Sequence, residues 1–411
     1  MLKLFKRLAI FLSLFFKPKT IFGCIGILPV TERSFKDYFP VQFQDQLPFP
    51  NSSPRSIRDG RSWVSSPTSL IVMGHLLEVP NGLVSGSGYV FDESGNLING
   101  ASHRFSRKIK RGLVCHPYRI FPAIKLMQGS VGAITASNQD AYFHWLFDLL
   151  PRLKMLEDMG LKPDKYYMQY RYRFQRETLD LLEFISSQQI INCDDFPLLS
   201  ATRLIVPCHE VMDGREFPQW VVHFLRDSFL PKRGASVPSS KKRLFVSRAD
   251  ALFRRILNEL ELIPVFEEYG FTLVKLEKLS FQDQVSLFKD AEAVVLPHGS
   301  GLANLVFCSE GTKVIELFPN QMVDLSFRLS TAVGLDYFFL SARQGDSRIC
   351  EGTSHSGNIP YDFIIHTKDL IDTLKLAKIK PLPKVKETAP RSLVKHKLEP
   401  EYVQRPALGI K

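Results

Sequence analysis

The sequence has few of the features that mark metal-binding or disulfide-rich proteins. Its 411 residues contain only six cysteines, which are widely scattered and form no Cys-x-x-Cys pair. Metal-ligand spacing is therefore absent, and so is the dense cysteine pattern of a disulfide framework. The cysteine usage favours a reducing compartment.

The body of the chain also lacks an excess of basic charge, although the formal net charge is +11. Residues 1–19 and 376–411 together hold 14 of the 53 Lys and Arg residues and three of the 42 acidic ones, which leaves 39 of each sign in between. A nucleic-acid-binding domain would need a basic stripe on the body itself. The charge distribution therefore argues against a nucleic-acid partner. It fits tails that meet an anionic membrane surface, or tails that are simply solvated.

The N-terminal segment, residues 1–30, contains an apolar run that is too short to cross a membrane. The nine residues Leu8–Phe16 cannot span the ~30 Å of hydrocarbon in a bilayer. No convincing cleavage site for a signal peptide follows them. Two interpretations stay open: an interfacial anchor with lysines reaching towards the lipid headgroups, or a hydrophobic N-terminal helix. The sequence predicts a cytoplasmic protein, peripheral at the membrane under the first interpretation.

The pattern of apolar runs predicts an α/β protein with two domains. A chain of 411 residues exceeds what one core usually supports. Strands and helices alternate from about residue 126 to 229, and again after a polar, turn-rich linker at 231–242, which indicates parallel sheets. We expect two Rossmann-like domains facing a cleft, preceded by an irregular region. The predicted boundaries are an N-terminal segment 1–30, a first domain 31–235, a second domain 241–375, and a disordered basic tail 376–411.

In the second domain, three expected elements bear on function. Residues 243–247 and 291–296 are predicted strands, and residues 250–269 are predicted to be mainly helical, with a kink or break at Pro264. The second strand leads into the loop His298-Gly299-Ser300-Gly301, and a helix is expected to begin at Leu302.

This loop is the strongest local signal in the sequence. Glycines let backbone N–H groups approach an anion, and the N-terminus of the following helix contributes partial positive charge. The geometry suits a diphosphate. The loop is neither G-x-G-x-x-G nor a Walker loop, so it does not indicate a dinucleotide or an NTPase by itself. The alternative interpretation is a tight strand-to-helix turn that merely needs glycine.

Charged residues stand near the ends of the neighbouring strands. Glu316 lies within an apolar strand, where it either accepts hydrogen bonds from a ribose diol or occupies an exposed edge. Arg248 directly follows the predicted strand 243–247, and Arg254 and Arg255 come shortly after it. Arginine side chains suit diphosphate oxygens, although one of the last two is expected to be a solvated helix charge.

The first domain contributes a histidine and a carboxylate at helical spacing. His144 and Asp148 are four residues apart, and therefore lie on one face of a helix predicted from Tyr142 to Met159. Such a pair can orient an imidazole as a base, or the carboxylate itself can take a proton from a hydroxyl group. The alternative is that both residues brace the helix against its neighbours.

Together these segments resemble glycosyltransferase family 61, over roughly residues 125–340. The resemblance implies a GT-B-type fold, inversion at the anomeric carbon, a nucleotide-sugar donor that is usually a UDP-sugar, and a glycan acceptor, as in capsular or surface polysaccharide biosynthesis. The residues that carry it are Tyr142-Phe-His-Trp145, Asp148, Leu150-Pro-Arg152, Ser247-Arg248, Arg255, Asn258-Glu259, Gln284, His298-Gly-Ser-Gly-Leu-Ala-Asn304, Gly311 and Val314-Ile-Glu316.

The resemblance also implies roles for individual residues. Asp148 or His144 is the base, Glu316 holds the nucleotide ribose, and Trp145 lines the sugar site or belongs to the core. The donor-binding residues are expected to be Arg248, Arg255, His298, Gly299, Ser300, Gly301 and Asn304. No cofactor and no metal are expected, since the chain contains no Asp-x-Asp sequence.

One departure from the family pattern favours a second hypothesis. The family often has Asn before the aromatic-aromatic-His-Trp run, whereas this chain has Ala141. Either Asn138 substitutes for it or the contact is lost. The alternative function is therefore a non-catalytic nucleotide- or glycan-binding assembly protein on the same fold.

Overall fold

The fold is described from a computed structural model of the chain. The described residues are 27–28, 39–41, 56, 74–95, 97–98, 124–136, 138–183, 185–208, 217–231, 241–319, 323–349 and 361–383. The apolar run Leu8–Phe16, most of the predicted linker and residues 384–411 lie outside them.

The strands and helices alternate as expected over most of the described chain, and the α/β class is confirmed. The strands are β1 (Ile27–Leu28), β2 (Phe39–Val41), β3 (Gly74–Ser85), β4 (Val90–Phe91), β5 (Leu97–Ile98), β6 (Ile124–Ile134), β7 (Lys165–Met168), β8 (Ile190–Asn192), β9 (Leu198–Cys208), β10 (Lys242–Val246), β11 (Phe271–Val274), β12 (Ala291–Pro297), β13 (Lys313–Phe318), β14 (Asp336–Ser341), β15 (Ser347–Ile349) and β16 (Tyr361–Phe363). The α-helices are α1 (Tyr142–His144), α2 (Leu150–Asp158), α3 (Arg173–Leu182), α4 (Gln219–Phe229), α5 (Glu259–Glu268), α6 (Phe281–Lys289), α7 (Leu325–Val333) and α8 (Thr367–Leu376). A π-helical turn, Trp145–Leu149, joins α1 to α2, and 3₁₀ helices form at Ser187–Gln189, Leu276–Lys278 and Ser300–Phe307.

The second half of the chain contains a parallel sheet with the strand order β11-β10-β12-β13-β14. Val294 and Leu296 of β12 pack into one hydrophobic cluster, and Ala293 and Val295 pack into another. Burial on both faces explains the nearly continuous apolar runs. The chain passes from β10 to β11 on one side and then to β12 on the other. The carboxyl ends of β10 and β12 therefore flank a topological switch point, the usual ligand site of open α/β sheets.

The first half contains a mixed sheet with the order β1-β5-β4-β3-β9-β6-β7-β8, with β2 paired to β3. Strands β9, β6, β7 and β8 are parallel. Strand β3 pairs antiparallel with β9, and β4 with β3. The long antiparallel pairing between β3 and β9 was not predicted from the sequence.

The two sheets are joined by one continuous hydrophobic core. The rings of Phe229 on α4 and Phe281 on α6 meet edge to face, with centroids 4.8 Å apart. Arg226 Nη1 donates to the carbonyl oxygens of Val306 and Cys308 at 2.6 and 2.8 Å. The halves thus share a packed interface, and their arrangement as two Rossmann-like, GT-B-type domains around a cleft stays a prediction.

The helix expected over residues 250–269 is shorter than predicted. It begins only at Glu259, and Pro264 lies inside it. Ile256 forms a parallel bridge with Phe363, and the Leu257 N–H donates to the Phe363 carbonyl at 2.8 Å. These bonds to β16 hold the preceding residues out of the helix, so tertiary contacts override helix propensity.

The expected start of the tail at residue 376 also needs correction, because residues 377–383 pack on the second half. Ala377 and Ile379 are buried, and the Leu382 N–H donates to the Glu268 carbonyl at 2.8 Å. Arg243 Nη1 donates to the Lys380 carbonyl at 2.7 Å. Among the described helices, none combines the length and the apolar character needed to span a bilayer.

This packing predicts different effects for two truncations. Removal of residues 377–411 is expected to lower the Tm by about 3 °C or more, because it uncovers the core that Ala377 and Ile379 close. Removal of residues 384–411 is the matched control, and its low apolar content predicts a change within about 1 °C. Calorimetry of both shortened chains makes the comparison. Equal melting temperatures would show that the buried segment contributes nothing.

Candidate functional site

Arg248 and the glycine loop meet at the switch point. Arg248 lies two residues after β10, and Gly299 lies two residues after β12. A Cβ atom built on Gly299 would lie 2.3 Å from Nη1 of Arg248, so only glycine permits this close approach. Strand order therefore brings together a guanidinium group and a backbone loop that the sequence predicted as partners in anion binding.

The loop presents backbone N–H groups in the first turn of the 3₁₀ helix Ser300–Phe307. The first hydrogen bond of this helix runs from the Leu302 N–H to the Gly299 carbonyl at 3.0 Å. The N–H groups of Ser300 and Gly301 precede it and suit an anion. Close packing also favours glycine at position 301, because a Cβ atom there would lie 2.9 Å from Cδ1 of Leu276.

Arg254, rather than Arg255, interacts electrostatically with Arg248. Phe253 supports both side chains: its carbonyl accepts from Arg248 Nη2 at 3.3 Å, and its ring lies 4.9 Å from Cζ of Arg254. Burial, and then repulsion by Arg248, lower the pKa of Arg254 to about 10. Burial also lowers the pKa of Arg248. Two partly buried cations that repel each other form a site that favours an anion.

Arg255 is bound to a carboxylate instead. Its backbone N–H donates to Oδ1 of Asp362 at 2.8 Å, and its Nε and Nη2 donate to Oδ2 at 2.8 and 2.5 Å. This pair attaches the irregular segment before α5 to β16. The diphosphate contact predicted for Arg255 stays a prediction, since its side chain is paired with Asp362 but remains 44% exposed.

His298 and Glu316 form a pair at the carboxyl ends of β12 and β13. Nδ1 of His298 lies 2.5 Å from Oε1 of Glu316, and the ring stacks on Phe318. The other carboxylate oxygen accepts from the Tyr337 hydroxyl at 2.6 Å. Burial, and then Glu316, raise the pKa of Tyr337 well above its ordinary value, so this hydroxyl group stays protonated.

Glu316 is completely buried, and both of its oxygens have partners. The ribose contact predicted for it is therefore not accessible in this arrangement. The Glu316 carboxylate instead fixes the orientation of the His298 ring through Nδ1, so that Nε2 points away from the carboxylate.

His144 and Asp148 form a second histidine–carboxylate pair. Nδ1 of His144 lies 2.7 Å from Oδ2 of Asp148, and the exposed fractions of the two side chains are 13% and 1%. The π-helical turn Trp145–Leu149 lies between them, a deviation from α-helical geometry that is frequent at functional sites. Asp148 lies behind His144, so the imidazole is the group that a substrate reaches. Asn138 Nδ2 is 3.4 Å from Nε2 of His144, which supports Asn138 as the substitute for the residue that Ala141 replaces.

A buried hydrogen-bond chain connects this helix to the glycine loop. The Tyr142 hydroxyl donates to Oδ1 of Asn304 at 2.7 Å, and Asn304 Nδ2 donates to Oε1 of Gln284 at 2.9 Å. Asn304 is completely buried, so it connects the two halves rather than facing a donor. Trp145 is also completely buried, and its indole N–H donates to Thr178 at 2.9 Å, which places it in the core.

Sequence reasoning missed three residues that shape this site. Arg254 was weighed only as an alternative to Arg255, and the helix expected there hid its position. Tyr337 lies on β14, a strand that was not predicted. Tyr142 was recognised only as part of a motif, because nothing in the sequence indicates a partner 162 residues away.

Comparison with known proteins agrees with the motifs. Residues 142–315 match the sequence model of the family Glycosyltransferase 61. The match begins at the start of α1 and ends in β13, so it includes both histidine-bearing segments. This part of the chain is a glycosyltransferase domain. These matched residues form a domain of glycosyltransferase family 61, as the resemblance predicted.

The curated relatives are similar over limited regions. The EGF domain-specific O-linked N-acetylglucosamine transferase of Drosophila melanogaster is 28% identical over 138 residues, which are 32% of this chain and 25% of that protein. The protein with the same description from Xenopus laevis is 27% identical over 169 residues, 40% and 31% of the two chains. The bovine (Bos taurus) protein O-linked-mannose beta-1,4-N-acetylglucosaminyltransferase 2 is 32% identical over 112 residues, 26% and 19%. The matches thus span at most about a third of these relatives.

Proposed function

We propose that this chain is an inverting glycosyltransferase that moves a sugar from a UDP-sugar to a hydroxyl group of a glycan acceptor. The observation that carries the proposal is the meeting of Arg248 with Gly299 at the switch point, next to a helix that bears the His144–Asp148 pair. The family match supports the reaction class. The donor, the acceptor and the GT-B-type arrangement belong to the proposal.

His144 is the proposed base. Its Nδ1–H donates to Asp148, so Nε2 carries the lone pair. The acceptor hydroxyl takes the place of the Asn138 amide, 3.4 Å from Nε2, and gives its proton to that lone pair. The acceptor oxygen then attacks the anomeric carbon as the bond from that carbon to the β-phosphate oxygen breaks, with inversion. Asp148 stabilises the imidazolium that forms, and Asn138 lies where it can steer the acceptor.

The leaving diphosphate carries the negative charge of the reaction. Arg248 and the N–H groups of Ser300 and Gly301 are placed to stabilise it, with His298 at the same end of the sheet. These groups supply the positive charge from the protein itself. We therefore expect transfer to continue in EDTA, and loss of activity that Mg²⁺ or Mn²⁺ restores would contradict that part of the proposal.

The names of the relatives point to a donor sugar and to acceptors. All three relatives are described as transferring N-acetylglucosamine, so UDP-N-acetylglucosamine is the first donor to test. The proposed acceptor is a surface or capsular glycan, reached by an enzyme that is cytoplasmic and peripheral at the membrane. An acceptor panel should include EGF domains and O-linked mannose, which the relatives' names specify.

Calorimetric titration with UDP and with uridine tests the donor site. Arg248→Ala is expected to weaken UDP binding about 30-fold, or roughly 2 kcal/mol, because a charge-assisted contact to phosphate is lost. Uridine lacks the diphosphate, so its affinity should not change. Arg176→Ala, at an exposed arginine on α3, controls for the loss of one positive charge.

Equal weakening of UDP and uridine by Arg248→Ala would reject the diphosphate role. Binding of another nucleoside diphosphate in place of UDP would keep the site and change the donor. Release of UDP from the UDP-sugar by the unmodified protein separates a catalytic site from the non-catalytic assembly function that Ala141 suggested.

A further inference from the structure

Arg254 has a backbone conformation that is unfavourable for its residue type. Its φ angle is 63°, in the left-handed region where any residue with a Cβ atom is destabilised relative to glycine. It lies in the irregular segment between β10 and α5, six residues after Arg248. Strained residues of this kind persist where the surrounding structure requires them, often at ligand sites.

The guanidinium group of Arg254 is also electrostatically unfavourable as it stands. Its Nε is buried without a hydrogen-bond partner among the described residues, and the same holds for Nε of Arg248. Some other arginines pair with acids, as Arg328 does with Asp324 and Arg343 with Asp369. Arg254 instead has another arginine as an electrostatic neighbour, while Glu316 raises its pKa.

A bound anion would compensate for the strained backbone and for the unpaired charge of Arg254. Phe253 supports the two arginines from opposite ends, with its carbonyl on Arg248 and its ring beneath Arg254. A pair of guanidinium groups held in this way matches the two phosphates of a nucleoside diphosphate, since each planar group can donate to its own set of oxygens.

We infer that Arg254 is a second ligand of the donor diphosphate, kept strained and unpaired in the empty protein so that it can bind phosphate. This rests on the proposed function and adds a residue to its site. It predicts that replacing Arg254 raises the stability of the protein and weakens the binding of UDP. An arginine with a purely structural role would not show these opposite effects.

Arg254→Gly is the decisive variant, because it removes both the charge and the Cβ atom that strains the backbone. We expect the Tm of the unliganded variant to rise by about 1–3 °C. UDP should bind about tenfold more weakly, with uridine unchanged. Arg254→Lys keeps the charge but loses the planar fork, and should weaken UDP by a smaller factor while leaving the fold intact.

Glu183→Gly is the matched control for backbone strain. Glu183 has a φ angle of 56° at the C-terminus of α3 and is exposed, so glycine there should also raise the Tm but leave UDP affinity unchanged. A lower Tm for Arg254→Gly with full UDP affinity would overturn the inference and make Arg254 structural. If Arg248→Ala weakens UDP while Arg254→Gly does not, the inference fails and the proposed function stands. If neither variant weakens UDP, both fail.

Discussion

Replacing His144 with alanine is expected to lower kcat by about a thousandfold while UDP binding stays unchanged. The imidazole is the only group of the His144–Asp148 pair with notable exposure, because Asp148 is 1% exposed and lies behind it. Loss of a general base lowers the reaction rate by a factor of about 10²–10⁴. It does not change the contacts to the donor's phosphates, so UDP affinity is unaffected. Single-turnover transfer from the UDP-sugar, with calorimetric titration of UDP, measures the two quantities separately.

Asp148→Asn tests the role of the carboxylate in the same pair. An asparagine amide keeps the shape of the side chain but can donate to Nδ1 of His144, which moves the ring proton to Nε2 and removes the acceptor lone pair. We expect kcat to fall by about a hundredfold with unchanged UDP affinity. His223→Ala, at an exposed histidine on α4, is the control and should have no effect.

The outcome also decides between the two bases that the spacing left open. If Asp148→Asn abolishes transfer and His144→Ala does not, Asp148 itself is the base. If neither variant matters, the pair braces the helix.

Several elements of the second half could be predicted because their signal is local. Parallel strands buried on both faces are short, nearly continuous apolar runs. The predicted strand 291–296 therefore agrees with β12 to within one residue. The glycine loop could be recognised for the same reason, since turn chemistry depends on adjacent residues.

Partners across the fold could not be predicted in this way. The segment 250–258 has helix-forming residues, but hydrogen bonds to β16, more than 100 residues later, keep it irregular. Arg254 rather than Arg255 is therefore the electrostatic neighbour of Arg248. The partners of Glu316 could not be predicted from the sequence either. Its apolar neighbours showed that it needed partners, but one partner comes from the loop after β12 and the other from β14.

Removing the Glu316 carboxylate is expected to produce the largest loss of stability of any change at this site. Its two oxygens bind His298 and the buried hydroxyl of Tyr337, at 2.5 and 2.6 Å. Glu316→Ala leaves His298 and the buried Tyr337 hydroxyl without their acceptor, so we expect the free energy of unfolding to fall by about 3–5 kcal/mol. Glu316→Gln keeps one acceptor oxygen and should cost about half as much. Urea denaturation measures each value.

Tyr337→Phe removes only one of the two hydrogen bonds and should cost about 1 kcal/mol. Glu267→Ala, at an exposed glutamate on α5, is the control for removing a surface carboxylate and should stay within about 0.5 kcal/mol. A Glu316→Ala protein as stable as this control would show that the carboxylate is not a structural centre of the site.

Glu316→Gln also tests the ribose contact inferred from the family resemblance. A carboxylate that is completely buried and bound on both oxygens has no atom to offer a ribose diol. We therefore expect uridine affinity to stay within about threefold of the unmodified protein, because a lost hydrogen bond to a charged group would cost more than that. UDP should bind more weakly than before, since the His298 ring loses the carboxylate that fixes its orientation towards the phosphates. A parallel loss of uridine and UDP affinity would show that the donor opens this pocket and that Glu316 binds the ribose after all.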